Sequence, residues 1–420
     1  MRTNVLKNGC LILIFNRIIT LGGMRKFKLI SAIFIVCFVS GTINAQYTCP
    51  DYMKEYKKIW DTKGPKVAGL EWFKNAKFGM FVHYSPASQL QNSVADFTKL
   101  NQLWFNDHNN PTLDNYAHKE HSKGVYGNGI NSETERLFNT FDPKNFNADE
   151  IADLAVSAGM KYINFTSFHI IGQMFMFDTS VSKWNSKRLY NRDFVAEMSA
   201  ACQKRGLGLF IYFWPPQDVT QGELKQMIKE LLTNYGPIAG IWFDGIGTAY
   251  RRPSAFLEST KLYALVTALQ SQCLVSYKTG WVGDEDFLAP EWDQLKFDEK
   301  GNPLFPNPAS FTKIGDVKIR MQRQTPTGFE WKTQTFNQTW EKYLKQKPIE
   351  LGNTMIEKSE WFDLKGGRHK SREEVIEEYK YARKNKSNMI LNIAPRGDGS
   401  IHPDDKKALE GLGSEISLIK

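Results

Sequence analysis

Short apolar runs alternate with longer segments of helical period along most of this 420-residue chain. Buried strands that alternate with helices require a parallel sheet, and six or more such units in one domain favour a closed sheet over an open one. The sequence therefore predicts an α/β fold, a (β/α)8-type (TIM-like) barrel. The predicted strands are 77–83, 162–166, 207–213, 238–243, 273–277 and 389–393, and the predicted helices are 148–158, 193–205, 222–235, 254–271, 371–384 and one opening near Pro403.

An open dinucleotide-binding sheet is the main alternative, and its signature is missing. In dinucleotide-binding sheets a Gly-x-Gly-x-x-Gly motif brings the backbone close to the pyrophosphate. No such motif follows the first apolar run. The segment 280–339 is rich in Pro, Trp, Phe and Gly and has no clear period. We expect it to form long loops after the strands, which are the loops that build active sites on a barrel.

The first 45 residues have the composition of an export signal. They contain six basic and no acidic side chains, and Met24 is followed by a basic stretch, the apolar run 29–39 and small or polar residues ending at Ala45. That run has the length of a signal-peptide core and is too short to cross a bilayer. We therefore expect 1–45 to be an extension and signal peptide with translation starting at Met24, 46–420 to be the catalytic barrel, and the protein to be secreted or periplasmic.

Charge and cysteine usage narrow the possible partners. The net charge of +9 falls to 48 basic against 45 acidic groups without 1–45, a balance too weak to predict nucleic-acid binding. After signal removal nothing predicts a membrane contact, and the oligomeric state is not predicted. Cys49, Cys202 and Cys273 would remain, with no close pair and no metal-type spacing, so neither a disulfide framework nor a cysteine metal site is expected.

Polar and aromatic side chains end several predicted strands, where barrel enzymes place their sites. Asp244 follows the apolar run 238–243, so it stands on a rigid element between low-dielectric walls. That position suits a nucleophile aimed at a forming oxocarbenium ion. It equally suits a carboxylate that caps the next helix or binds loop amides.

If Asp244 is the nucleophile of a retaining glycosidase, the enzyme also needs a second carboxyl group. This group must lie about 5 Å from the nucleophile, on the other side of the scissile bond. The acids after Asp244 supply the candidates. Glu291 lies between Pro290 and Trp292, where partial burial would raise its pKa toward the working range of a general acid. The alternative is that Glu291 is an ordinary loop acid with no catalytic role. The full set is Asp284, Glu285, Asp286, Glu291, Asp293 and Glu350.

Two histidines at neighbouring strand ends predict ligand contact more strongly than either would alone. His83 ends the first predicted strand and His169 lies just beyond the second. Neutral imidazoles can exchange hydrogen bonds with sugar hydroxyls, and aromatic faces can pack on the apolar face of a sugar. The pair lacks His-x-Glu or His-x-x-x-His spacing, so no metal site is expected. The aromatic candidates for substrate binding are Tyr84, Tyr212, Trp214 and Trp242.

Four stretches of the chain resemble the α-L-fucosidases of glycoside hydrolase family 29, and the resemblance runs from about Trp72 to Gly413. The stretch 72–83 (WFKNAKFGMFVH) is similar to the opening strand of that family, and 146–162 to its second unit. The stretch 240–245 (GIWFDG) is similar to the nucleophile strand, and 388–401 (NMILNIAP, then GDGSI) to the closing unit. Each motif alone is moderately specific, but together and in order they are strong evidence for the fold.

The resemblance implies a retaining exo-enzyme that releases terminal α-L-fucose from fucosylated oligosaccharides or glycoconjugates without a metal or other cofactor. Asp244 would be the nucleophile, and His83 and His169 would grip the sugar near Tyr212 or Trp214. Glu291 stands in a Pro-Glu context like that of the family's acid/base, with Glu285 and Glu350 as alternatives for this role.

Two departures from the family pattern bear on activity. The usual Lys-His-His-Asp-Gly is replaced by 168–172 (FHIIG), and the usual Trp-Gly after the first histidine is replaced by Tyr84-Ser85. Each lost hydrogen bond to a sugar could cost about 1–3 kcal/mol, so a related sugar is a further expectation. A barrel that binds glycans without hydrolysing them is the rival hypothesis, and a metal-dependent barrel hydrolase is a third. We also expect the β-sandwich that commonly follows the barrel to be absent.

Overall fold

The chain divides into a unit of Met1–Gln46 and a unit of Tyr47–Lys420 in a computed structural model. The first unit, with the predicted signal peptide, lies outside the described residues. None of the helices in the described part of the chain has the length and apolar character of a membrane span. The structure describes residues 48–91, 132–169, 172, 174–216, 220–244, 259–277, 285–292, 296–297, 299, 303–304, 318–325, 328–335, 347–357 and 361–419.

Seven parallel strands form the central sheet, in the order β10-β11-β1-β2-β3-β4-β5. The first and last of the predicted strands are neighbours, with Phe78 opposite Met389 and Val82 opposite Ile393. This curled sheet with its surrounding helices confirms the (β/α)8-like barrel. The strands are β1 Phe78–Val82, β2 Tyr162–Phe168, β3 Gly208–Phe213, β4 Gly240–Phe243, β5 Leu274–Tyr277, β10 Glu350–Thr354 and β11 Asn388–Ile393.

Residues 285–292 lie between β5 and β10 and bring the sheet toward closure. The backbone N–H of Asp286 donates to Val275 of β5 (2.7 Å), and that of Leu288 donates to Pro348 (2.9 Å). Farther along, Glu291 pairs in parallel with Gly352 of β10. We call residues 285–292 the closing segment. The prediction that all of 280–339 consists of loops is therefore wrong, because Phe287, Leu288 and Ala289 are buried in the barrel wall.

Two antiparallel strand pairs also fall within the stretch predicted as loops. One is the two-residue pair β6–β7, and the other is the hairpin β8–β9 with Lys318 opposite Thr335. These strands are β6 Lys296–Phe297, β7 Pro303–Leu304, β8 Lys318–Thr325 and β9 Gly328–Thr335.

Side-chain oxygens cap the helices where the sequence predicts their starts. Asn147, Asp193, Thr220 and Ser371 each accept a hydrogen bond from an N–H of the first helical turn, which satisfies a donor that the helix itself cannot. The α-helices, in chain order, are α1 Lys57–Lys63, α2 Pro65–Ala76, α3 Ser132–Thr140, α4 Ala148–Ser157, α5 Ser186–Tyr190, α6 Phe194–Arg205, α7 Gln221–Thr233, α8 Ser259–Leu269, α9 Arg372–Lys384, α10 Pro403–Leu409 and α11 Leu412–Ile416.

Alternation of side chains along each strand separates two buried layers. The outer layer packs strands on helices, and in β1 it takes Phe78, Met80 and Val82. The inner layer fills the barrel, and there β1 contributes Phe81. Helix α2 closes the amino-terminal end, where the ring of its Phe73 lies 4.6 Å from that of Phe287. The site must therefore lie at the other end, where the strands terminate.

Glu350 is buried at the closed end of the barrel, not at the open end. It pairs with Asn388 at the start of β11, and its Oε1 accepts a hydrogen bond of 2.6 Å from the Tyr162 hydroxyl. Burial raises the pKa of its carboxyl group from 4.5 to about 8, although the hydrogen bond from Tyr162 lowers it. Glu350 is thus held as a neutral acid in the core. It is the first residue of β10, and Thr354, at the open end of the barrel, is the last.

We predict that Glu350→Gln removes a pH dependence of stability. Because the folded state holds this proton more tightly than the unfolded chain, the stabilisation is complete below pH 4.5 and is lost as the pH rises through about 8. Between pH 5 and pH 9 the free energy of unfolding of wild type should fall relative to that of the variant, by at most about 5 kcal/mol. Urea denaturation measures this difference. Parallel pH profiles for the two proteins, or the same effect from the exposed Glu299→Gln, would contradict the assignment.

Candidate active site

The carboxyl ends of β1 to β3 bring four predicted site residues into one cluster. The ring of His83 lies 5.5 Å from that of His169 and 5.4 Å from that of Tyr212. His169 stacks on Tyr212 with ring centroids 5.4 Å apart, and the Trp214 ring lies 5.5 Å from His169. Because parallel strands end at the same edge, residues far apart in sequence meet at the barrel mouth.

Asp244 joins this cluster through a hydrogen bond. The Tyr212 hydroxyl donates to its Oδ2 over 2.8 Å, and the backbone N–H of Asp244 donates to Phe213 (3.1 Å). Burial raises the pKa of the Tyr212 phenol well above its usual range, and the charge and hydrogen bond of Asp244 raise it further. The phenol therefore keeps its proton and acts as the donor. This bond orients one carboxylate oxygen of Asp244, while the residues that would test a helix-capping role, 245–258, lie outside the described residues.

Glu291, on the closing segment beside β10, is a second carboxyl group whose charge acts on the same phenol. Its negative charge also raises the pKa of Tyr212. The backbone around it is tied to β10 on both sides, since Gly352 donates to Pro290 (3.0 Å) and Trp292 donates to Gly352 (2.8 Å). Glu291 is half-buried on the last part of the closing segment. Asp244 is thus hydrogen-bonded to the Tyr212 hydroxyl, and the charge of Glu291 reaches the same group.

The other described candidates for the acid lie elsewhere. Glu285 starts the closing segment, at the end of the barrel opposite to Glu291, with Lys347 Nζ 3.9 Å from its Oε1. Glu350 lies at that same closed end. Asp286 accepts from Tyr263 (2.8 Å) and pairs with Lys66 (2.9 Å). Asp284 and Asp293 fall outside the described residues. Among the described acids of this set, Glu291 is the one whose charge raises the pKa of Tyr212.

Two aromatic residues that the sequence analysis missed complete the wall. Trp361 lies 4.9 Å from His83 between ring centroids, and Phe362 lies 5.1 Å from His169. Both begin the stretch 361–371 that precedes α9, which we call the Trp361 segment. No strand or helix period marks these residues. Their neighbourhood in the chain, a Trp-Phe-Asp run in an otherwise polar stretch, was the one available signal.

Asn392 was likewise missed as a site residue. It is buried in β11, and its Oδ1 lies 2.8 Å from His83 Nδ1. Its Nδ2 donates to the carbonyl of Trp361 (2.9 Å). The inward parity of β11, in which Asn388, Ile390 and Asn392 share one face, could have indicated it.

The structure does not bring Tyr84 to the cluster, contrary to its expected role in substrate binding. Its ring is fully buried in the outer layer, stacked at 4.9 Å on Phe146, and its hydroxyl donates to Gly397 (3.3 Å). The reason is alternation, because Tyr84 continues the outward parity of Met80 and Val82. Trp242 does point inward, but it is fully buried one layer below Asp244, with its ring 4.9 Å from Phe81.

One group of described side chains has the spacing of metal ligands, and it lies outside the cluster at the mouth. It consists of His369, His402 and Asp405. The two imidazoles stack with centroids 3.7 Å apart, and His369 Nδ1 lies 2.5 Å from Asp405 Oδ1. Parallel rings do not direct their lone pairs at one ion. Burial lowers the pKa of His369, but Asp405 outweighs this and the net shift is upward. We interpret the group as a hydrogen-bonded link between the Trp361 segment and α10.

The fold and the site together define a class: a (β/α) barrel with a carboxylate and an aromatic wall at its mouth and a second carboxyl group on the closing segment, as in glycoside hydrolases. Residues 45–417 match the sequence profile of the family described as Alpha-L-fucosidase. The chain belongs to this family.

Individual relatives are distant. Alpha-L-fucosidase 1 of Arabidopsis thaliana is 24% identical over 291 residues, covering 64% of this chain and 51% of the relative. Tissue alpha-L-fucosidase of Rattus norvegicus is 24% identical over 366 residues, covering 83% and 68%. The alpha-L-fucosidase AlfC from Lactobacillus casei, solved with alpha-L-fucose product, superposes with a TM-score of 0.53 at 19% identity, covering 83% of this chain and 98% of that one. The chain spans about half the length of the Arabidopsis relative.

We predict that Phe362→Ala destabilises the protein by about 3–5 kcal/mol, because it leaves a cavity beside the two histidine rings. Only 2% of the Phe362 surface is exposed. Urea denaturation would measure the loss, with Leu418→Ala as the control, since Leu418 is 82% exposed and should change stability by less than about 0.5 kcal/mol. Equal stability of the two variants would show that the Trp361 segment does not depend on this ring.

Proposed function

We propose that this protein is a retaining exo-glycosidase that releases terminal α-L-fucose, or a closely related sugar, from glycans. The observation that carries the proposal is the placement of Asp244 at the barrel mouth, hydrogen-bonded to Tyr212, with the charge of Glu291 acting on the same phenol. Retaining glycoside hydrolysis requires two carboxyl groups about 5 Å apart on either side of the scissile bond, and we assign these roles to Asp244 and Glu291. That a related AlfC structure contains alpha-L-fucose product supports the choice of sugar.

In the first step Asp244 attacks the anomeric carbon while Glu291 gives its proton to the departing glycosidic oxygen. The bond between the sugar and the leaving group breaks, and a glycosyl ester on Asp244 forms. In the second step Glu291 takes a proton from water, the water oxygen attacks the anomeric carbon, and Asp244 leaves as a carboxylate. Two inversions return the original anomer. The Tyr212 hydroxyl holds Oδ2 and so orients the carboxylate for attack.

The remaining side chains of the cluster suit sugar recognition. The imidazoles of His83 and His169 can exchange hydrogen bonds with hydroxyl groups, while the rings of Trp214 and Trp361 offer apolar faces. The positions that depart from the family run, Ile170 and Ile171, fall outside the described residues. Glycan binding without hydrolysis is the second candidate function, and these apolar replacements for polar residues favour it.

We also propose that the protein is exported. The supporting observation is the basic stretch after Met24 followed by the apolar run 29–39, the pattern of a cleaved signal peptide. Sequencing the amino terminus of protein recovered from the extracytoplasmic fraction would test this. A mature terminus near Gln46 is expected, and an intact Met1 would contradict the proposal.

We predict that Asp244→Asn lowers kcat/KM for an aryl α-L-fucoside by about a thousandfold or more, because an amide is not a nucleophile. Asp61→Asn, at an exposed helix position, is the matched control and should retain wild-type activity. Asp244→Gly with added azide should yield the β-fucosyl azide, since azide would attack from the vacated face in a single inversion. NMR of the products identifies the anomer. Full activity of Asp244→Asn would remove the nucleophile assignment, and inactive wild type with measurable fucoside binding would favour the second function.

We predict that Glu291→Gln slows hydrolysis of substrates with poor leaving groups far more than hydrolysis of activated aryl fucosides. The activated phenolate departs without a proton, so its first step needs no acid. Comparing kcat/KM for a nitrophenyl fucoside and a fucosylated disaccharide measures the difference. The control is Glu299→Gln, which alters an exposed acid after the closing segment. An equal loss on both substrates would argue against Glu291 as the acid.

A further inference from the structure

The amide group of Asn392 has only one orientation that satisfies its neighbours. The backbone N–H of His83 lies 3.1 Å from Oδ1, and an N–H can only donate. On the other side the carbonyl of Trp361 lies 2.9 Å from Nδ2, and a carbonyl can only accept. If the oxygen and nitrogen of the amide were exchanged, the NH2 group would face the N–H of His83, and the amide oxygen would face the carbonyl oxygen of Trp361. Neither pair can form a hydrogen bond. The assignment of Oδ1 therefore follows from backbone chemistry alone.

The orientation of this amide determines which nitrogen of His83 carries the hydrogen. The same Oδ1 lies 2.8 Å from His83 Nδ1, and an amide oxygen cannot donate. Nδ1 must therefore be the donor, and in the neutral ring Nε2 is then the acceptor. Asn392 is 1% exposed and His83 is 2% exposed, so water competes little for this bond. In the alternative tautomer two buried acceptors would face each other.

The same side chain also sets the position of the aromatic wall. Through Nδ2 it holds the backbone of Trp361, whose ring lies 4.9 Å from the His83 ring. One amide thus fixes both the rotation of the imidazole and the approach of the tryptophan. The distance between the hydrogen-bonding edge and the apolar face of the site is thereby defined by a buried residue.

We propose that Asn392 is a positioning residue that locks His83 in the Nδ1–H tautomer, so that Nε2 is offered to a hydroxyl donor of the sugar, and that keeps Trp361 in register with it. The part that concerns the sugar rests on the proposed function. The tautomer itself does not, and it can be measured without substrate. A site that accepts a hydroxyl hydrogen at this point discriminates against the corresponding deoxy sugar.

The test uses the full chain with 15N-labelled histidine at pH 8.5, where neutral imidazoles prevail, and NMR spectra that distinguish the two ring nitrogens. His83→Gln assigns the His83 signals. In wild type we expect Nδ1 protonated and Nε2 unprotonated. Asn392→Leu should change the tautomer of His83, whereas Asn392→Asp, which keeps an oxygen beside Nδ1, should retain the hydrogen there. His83 in the Nε2–H tautomer in wild type, or unchanged signals in Asn392→Leu, would overturn the proposal.

Asn388→Leu provides a matched control in the same strand. Asn388 is also a buried inward amide, but it donates to the carbonyl of Phe73 (2.7 Å) at the closed end. Its loss should destabilise the barrel and leave the His83 signals unchanged. On an aryl α-L-fucoside, kcat/KM should fall about 10- to 100-fold in Asn392→Leu and remain near wild type in Asn388→Leu. If wild type hydrolyses no fucoside, the proposed function fails while the spectra still decide the tautomer. A change of tautomer in Asn388→Leu would attribute the effect to general loss of packing and sink the inference.

Discussion

The parallel pairing of β1 with β11 is the interaction on which the rest of the structure depends. It joins the first and last described strands of the sheet, with Val82 opposite Ile393, and it places His83 beside Asn392. Parallel pairing aligns carboxyl ends, so every strand delivers its following residue to the same rim. A shift of one residue would exchange the inner and outer layers. The site exists because this register puts alternate residues inside.

Much of this architecture could be predicted from sequence because most strands are apolar on both faces. Strands β1 to β5 and β11 lie where short apolar runs lie, and the caps at Asn147 and Ser371 mark helix starts. Strand β10 was missed for a physical reason. Its inward positions carry Glu350, Gly352 and Thr354, so the five-residue strand Glu350–Thr354 has no apolar run. In the closing segment Pro290 interrupts the pattern, although its carbonyl still accepts from β10.

The alternation of inward and outward side chains along each strand predicts those residues of the candidate site that lie at strand ends. His83, Tyr212, Trp214 and Asp244 all share the parity of an inward residue in their own strands, and the structure brings them together. Tyr84 has the opposite parity, and the same rule would have placed it in the outer layer. Trp361 and Phe362 could not be found in this way. Their positions depend on contacts between distant segments, which no local pattern encodes.

Three of the polar contacts that tie the Trp361 segment to the barrel are spread along its length. Asn392 holds the carbonyl of Trp361, Gln91 donates to Asp363 (2.7 Å), and His369 Nδ1 is hydrogen-bonded with Asp405 of α10 (2.5 Å). Each anchor is polar and joins the segment to a different part of the chain. Apolar packing alone constrains a ring only loosely in direction, whereas a hydrogen bond fixes both distance and angle. An aromatic wall that must stand at a defined distance from an imidazole therefore needs polar anchors behind it. Asn392, which the pairing of β1 with β11 places beside His83, is the anchor that contacts both the imidazole and the backbone of Trp361.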